Sequence, residues 1–222
     1  MLFLASGTAS LAEEITIARL GHFTENRGVN EAGILPSYQI VMIATVVPSG
    51  HPTRVFAEQG DVGQALWHFP NSSARDLYVY LRRFESALMG FWRIVAERGD
   101  AKSTPAWTPV LAKPQEVPLV RNVRVTGSGA EPRVSWGLPD LTGFDVDRLR
   151  VAIRGGKRVY ERFLGVLYVS GDLPATANAF RIPPGVLAPG ERYVFEVMLE
   201  DLEGGDLENR SLTYSEPYTV PR

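Results

Sequence analysis

The segment Leu187-Ala188-Pro189-Gly190-Glu191-Arg192-Tyr193-Val194-Phe195-Glu196-Val197 decides the fold. Pro189 presets φ for a turn and Gly190 accepts the positive φ that the next position requires, so the chain reverses sharply there. From Tyr193 onward the residues alternate. Tyr193, Phe195 and Val197 share one face of a strand at period two, while Glu196 and Met198 share the other. The phenol carried into that corner needs a backbone partner for its hydroxyl.

The pattern continues on both sides. Upstream, Val117-Pro118 and residues 123–125 read as an entry strand. Pro132-Arg133-Val134-Ser135-Trp136, followed by Pro139, reads as a second strand, and residues 149–154 (LRVAIR) as a third, turned by Gly155-Gly156. Downstream, residues 203–210 read as a polar loop and residues 215–220 (SEPYTV) as the last strand. In this order the features resemble the fibronectin type III family, whose Leu-x-Pro-Gly-x-x-Tyr-x-x-x-Val signature residues 187–197 match. The resemblance spans about 100 residues and implies a β-sandwich with Trp136 in its core and Tyr193 as its tyrosine corner. It also implies a non-catalytic binding or structural module. One departure lies at residues 158–179, which are longer than the family's middle segment. Within them, residues 163–169 (FLGVLYV) are either an extra strand or an exposed apolar patch.

The first half lacks that signature and reads as a related immunoglobulin-like sandwich. Residues 15–20, 38–47, 53–57 and 64–69 are short apolar runs separated by loops at 25–33, 48–52, 60–63 and 70–73. Residues 77–84 are either a strand or the start of a helix running toward Met89. Residues 91–97 and 103–110 form a hairpin about Gly99-Asp100, its second strand an edge interrupted by prolines. Residues 112–117 have no periodic apolar pattern and read as a linker. The expectation is therefore an all-β chain of two β-sandwich domains in tandem, residues 13–111 immunoglobulin-like and residues 118–222 fibronectin type III-like. Residues 1–12 (MLFLASGTASLA) are either a secretory signal remnant, which implies an extracytoplasmic location (secreted, periplasmic or cell surface), or a first strand.

Composition excludes several function classes. A net charge of −2 gives no attraction to a phosphate backbone, so nucleic-acid binding is not expected. Without cysteine there is no disulfide, zinc-thiolate site, iron–sulfur cluster or thiol nucleophile. No apolar run reaches the roughly 20 residues that span a bilayer as a helix, so no transmembrane segment is expected. No nucleophile elbow, phosphate loop or dinucleotide fingerprint occurs, so the chain reads as no enzyme and as needing no cofactor.

Four groups remain as candidate sites. Arg98-Gly99-Asp100 lies at a hairpin tip, where the family resemblance implies integrin adhesion through an exposed Asp, and where Gly-Asp is equally plain turn chemistry. Asp201, Glu203, Asp206 and Glu208, with Asp140, Asp145 and Asp147 in a second loop, offer oxygen ligands for Ca²⁺, or are simply solvated acids. His22, His51 and His68 have no ligand spacing. Trp67, Trp92 and Trp107, with Tyr78 and Tyr80, form either a sugar-stacking platform or core, Trp107 being the one set for exposure. The partner expected is a protein or a second copy, engaged through the apolar runs 38–47 and 163–169; the alternative is a glycan, bound by a carbohydrate-binding module or hydrolase accessory domain.

Overall fold

The structure, a computed structural model, describes residues 15–28, 37–45, 54–70, 76–155 and 166–222. The readings of residues 1–12, of 29–33 in the loop at 25–33, of 46–47 in the apolar run 38–47, of the turn at 48–52 with His51, of the loop at 71–73, of Gly156 and of 158–165 in the long segment 158–179 lie outside them.

Among the described residues the chain is all-β, its strands joined by turns and one 3-10 turn. In order come β1 (Ile17–Arg27), β2 (Tyr38–Thr45), β3 (Arg54–Gln59), β4 (Val62–Ala65), β5 (Trp67–Pro70), β6 (Asp76–Arg83), β7 (Arg93–Arg98), β8 (Ala101–Lys102) and β9 (Ala106–Trp107). They continue with β10 (Arg121–Thr126), β11 (Arg133–Gly137), β12 (Arg148–Gly155), β13 (Val166–Val169), β14 (Ala179–Arg181), β15 (Arg192–Glu203), β16 (Asp206–Tyr214) and β17 (Tyr218–Thr219). The ambiguity at 77–84 resolves as strand, with a 3-10 turn at Phe84–Ser86 ending it. The apolar run 64–69 is broken at Leu66, whose amide leaves the strand to donate to the Val55 carbonyl at 2.9 Å.

Two expected loops are corrected: residues 25–27, read as the start of the loop at 25–33, continue β1 and pair with β16, and the second is the polar loop after β15. Residues 203–210 are not a loop: β15 and β16 form a hairpin closed by Gly204 and Gly205 alone, both at positive φ (61° and 94°). A two-residue turn with both φ positive matches the twist of the flanking strands, so pairing runs on to Glu203 and Asp206.

Two compact units divide the described residues. The first draws on Met1–Leu20, Met42–Tyr80 and Trp92–Thr108. Its sheet has the order β4-β3-β7, with β8 and β9 both on β7, and β5 pairs with β6. Val55, Ala57, Tyr78, Trp92, Ile94 and Ala96 are buried in it, and the Tyr80 ring meets Trp92 edge-on at 5.5 Å.

The second unit draws on Gly21–Val41, Leu81–Phe91 and Pro109–Arg222. A three-stranded sheet, β10-β11-β14, lies across a core from β13-β12-β15, with β16 and β17 both on β15. Trp136, Leu149, Val151, Ile153, Phe195, Val197 and Leu199 fill that core. Each such side chain contributes about 1.5–3 kcal/mol by leaving water. Two polar tips are satisfied inside it: Trp136 Nε1 donates to the Ala177 carbonyl, and the Tyr193 hydroxyl accepts from Ala188 N, each at 2.8 Å. The expected tyrosine corner is formed.

β16 also pairs in parallel with β1, Thr24 to Arg27 lying opposite Asn209 to Leu212. Residues 112–117, read from sequence as a linker, are extended and bonded within this unit. Ala112 N and Lys113 N donate to Glu208 Oε1, and Gln115 N donates to Asn209 Oδ1.

Candidate interaction surfaces

The face of β12, β15, β16 and β1 turned away from the core carries charge where a lone sandwich carries solvent-facing residues. Arg148 lies opposite Glu200, Glu200 opposite Arg210 and Arg210 opposite Glu25, so the signs alternate across four strands. Arg148 and Arg150 both donate to Glu200, Arg154 to Glu196, and Arg27 and Arg210 to Glu25. Glu25 and Glu200 are fully buried, and the Arg210 guanidinium lies 4.5 Å from the Phe23 ring centre. Burial alone would raise the Glu25 carboxyl above its usual range; the Arg210 and Arg27 charges outweigh it and hold the group low. Burial, with the Glu196 and Glu25 charges added, pushes the neighbouring Tyr214 phenol up. This face is closed by its own ion pairs.

The edge of that sheet is different. β13 pairs with β12 alone among the described strands, and Val166, Leu167 and Val169 are 44%, 56% and 41% exposed. Tyr168 turns inward, stacking toward Phe180 at 6.4 Å, which anchors the strand and leaves its neighbours outside. Residues 163–169 are thus, where described, both of the sequence alternatives at once. The other apolar run behaves oppositely: in β2, Gln39, Ile40 and Val41 are buried, and the strand lies between β1 and β6 in the sheet.

Arg98, Gly99 and Asp100 occupy a hairpin tip. Arg98 lies opposite Ala101, with Gly99 at φ 56° and Asp100 exposed beside it. Trp107, in β9, is 55% exposed; Trp67, in β5, is 64% exposed and equally open. Trp92 and Tyr78 are core, so a platform of all five aromatics is not formed. His68 is exposed and stacked on Tyr78 at 4.8 Å, and His22 is buried.

The acids do not converge on one point. Glu208 turns inward to cap the amides of Ala112 and Lys113, and Asp201 accepts from Asn209 Nδ2 at 2.6 Å. Glu203 and Asp206 are exposed at the hairpin tip. Asp147 joins the same end of the sandwich, its carboxylate accepting from Leu202 N at 2.7 Å. Asp201 is raised by burial, a shift the Asn209 bond opposes and Glu208, Asp145 and Asp147 reinforce. Among the described residues no group of three or more His, Asp or Glu side chains is arranged to hold a metal ion.

Sequence reading missed the charge ladder and Asn209. Alternation of Arg at 148, 150 and 154 with Glu at 196 and 200 is a signal for the first. No helix among the described residues is long and apolar enough to cross a membrane.

No protein-family model matches the chain, and no curated protein matches it. Among solved structures it is similar to a two-domain fibronectin type III segment of chicken tenascin, at 14% identity over 92% of this chain and 98% of that one, with a TM-score of 0.32. The FN1–FN3 domains of chicken CNTN1 are 12% identical over 95% of this chain and 65% of theirs, TM-score 0.36. Titin domains A168–A170 are 15% identical over 94% and 68%, TM-score 0.33.

Proposed function

We propose that the chain is a non-catalytic structural and protein-interaction module, in which residues 118–222 form a fibronectin type III-like sandwich and β13 receives an extended strand of a protein partner. The observation that carries this is the edge: among the described strands β13 ends its sheet, with Val166, Leu167 and Val169 exposed. The opposite flank of the same sandwich is already covered by β1 of the chain itself. An edge strand offers unpaired N–H and C=O groups to a further strand, and alternate side chains supply apolar contact. The family reading is supported by the Trp136 core, the Tyr193 corner and the strand order. Membership of an extracellular or cell-surface assembly extends the same reading. The Arg98-Gly99-Asp100 tip is its candidate adhesive element.

The experiment is light scattering behind size-exclusion over a wide concentration range, on wild type and Leu167→Lys. A charge on an edge strand blocks pairing. Concentration-dependent association that the substitution abolishes supports the assembly; a strict monomer at high concentration overturns it.

A second reading, glycan binding as a carbohydrate-binding or hydrolase accessory module, is favoured by the exposure of Trp67 and Trp107. Fluorescence titration with oligosaccharides tests it: quenching lost in Trp67→Ala and Trp107→Ala supports it, and no quenching in wild type removes it.

A further inference from the structure

Two pairs of like charges face each other directly across neighbouring strands. Arg133 of β11 lies opposite Arg181 of β14, and Glu203 of β15 lies opposite Asp206 of β16. All four side chains are exposed. Like charges at opposed positions on one sheet face are destabilising, so each pair is an arrangement the isolated sandwich gains nothing from.

The cationic pair borders an open groove of about 360 Å³ lined by Thr126, Gly127, Glu131, Ala179 and Phe180. Its resident acid, Glu131, reaches Arg181 only at 4.0 Å, the far limit of an ion pair. Arg124, level with Ser135 and Ala179, extends the positive face. The anionic pair caps a hairpin narrowed by two glycines, with Asp145 and Asp147 near its base.

The two pairs sit at opposite ends of the sandwich. The Tyr218 hydroxyl donates to the Gly129 carbonyl, and Tyr218 pairs with Tyr193 at the start of β15, which fixes the groove end. Glu203 ends the same strand, ten residues and therefore about 33 Å away. A copy's own acidic tip cannot enter its own groove.

We propose that the acidic hairpin tip of one copy docks on the Arg133–Arg181 groove of the next, giving head-to-tail association of this chain. Each contact sets two carboxylates against two guanidinium forks, relieving both like-charge pairs together, and guanidinium is suited to bidentate carboxylate recognition. The interface is heterologous, so it propagates as a filament or closes as a ring. This rests on the reading of the chain as an assembly module, and uses a surface distinct from β13.

Three proteins test it, all as the full chain: wild type, the groove variant Arg133→Glu/Arg181→Glu and the tip variant Glu203→Lys/Asp206→Lys. Sedimentation velocity at low ionic strength is expected to show wild type associating, and to show that association lost near 1 M salt, where the screening length falls to about 3 Å. Either variant alone should associate at least about tenfold more weakly, since like charges then meet across the contact. Mixing the two variants should restore association, because the acidic groove of one then meets the basic tip of the other. Wild type that stays monomeric at low salt, or a mixture that fails to associate, overturns the proposal. Association that ignores salt and both charge reversals, yet is lost in Leu167→Lys, overturns it while leaving the β13 reading standing. Unchanged melting temperatures for both variants exclude unfolding as the cause.

Discussion

The side-chain amide of Gln39 donates to His22 Nε2 at 2.7 Å, inside the second unit where both residues are 1% exposed. His22 Nδ1 is 3.1 Å from the Pro109 carbonyl, which can only accept, so Nδ1 carries the proton and Nε2 is the acceptor. Gln39 is fixed in turn by both backbone groups of Leu88, donating to its carbonyl and accepting from its amide. Protonation at Nε2 would set two donors face to face. Burial lowers the His22 pKa, with the Pro109 bond and the Glu208 charge opposing only in part.

The sign of the pH effect follows. Below about pH 6.5 the unfolded chain takes up a proton that folded His22 refuses, so stability present above that value is lost as pH falls toward the depressed folded one. Denaturant unfolding at about pH 8 and 5.5 checks this window, and His22→Asn should remove that part of the slope. Gln39→Leu, which removes the partner that His22 Nε2 and both Leu88 backbone groups have in Gln39, should cost about 1–3 kcal/mol at either pH.

Glu25 gives a second acid-sensitive step. Its carboxyl is held low in the folded state by Arg210 and Arg27 against the cost of burial. Stability from it is complete above about pH 4.5 and declines as pH falls below that. Removing one partner of a buried ion pair leaves the others uncompensated, so Glu25→Ala should cost about 3–5 kcal/mol at pH 7. Replacing Glu25, Arg27 and Arg210 together by apolar residues of similar size should cost far less, and chemical denaturation of the two variants distinguishes pairing from packing.

Asn209 uses its whole hydrogen-bonding capacity. Its Oδ1 accepts from the Thr24 hydroxyl at 2.6 Å and Gln115 N at 2.8 Å; its Nδ2 donates to the Lys113 carbonyl at 3.0 Å and to Asp201 at 2.6 Å. Asn209→Leu should therefore cost about 3 kcal/mol or more, read from denaturant midpoints. Asn209→Asp keeps the acceptor and turns the other atom into a second carboxylate against Asp201. Its deficit should shrink on going from pH 7 to 4, as one proton comes to be shared between the two acids.

The second sandwich was legible because its signals are local. A Pro-Gly turn, period-two alternation and a single tryptophan specify strands from within ten residues of themselves, and Trp136, Leu149 and Tyr193 are buried as their pattern requires. β1 shows the limit of that reading. Residues 17–27 (IARLGHFTENR) look like a strand fading into a polar loop, because Thr24, Glu25 and Arg27 are buried only by partners found far along the chain, among them Asn209 and Arg210. The same holds for residues 112–117, whose missing periodicity reflects backbone amides bonded to Glu208 and Asn209 rather than a free connection. Glu208 likewise reads as one acid among four, and only the hairpin register turns it inward.

Gly155 supplies the last prediction. It lies opposite Tyr193, and a Cβ built on it would fall 2.4 Å from Tyr193 Cδ1, 2.6 Å from Cε1 and 2.8 Å from Leu167 Cδ1. The tyrosine ring therefore covers the glycine and cannot yield, since its hydroxyl is bonded to Ala188 N and its backbone pairs with β12 and β17. An alanine in a strand ordinarily gains about 0.5–1 kcal/mol over glycine. Here overpacking at a cost of about 1–3 kcal/mol outweighs that gain. Gly155→Ala should lower the melting temperature, and adding Leu167→Ala should recover part of the loss, because Leu167 is the one obstructing group with room to leave. Equal effects in the single and double variants would mean that the Tyr193 ring alone sets the limit.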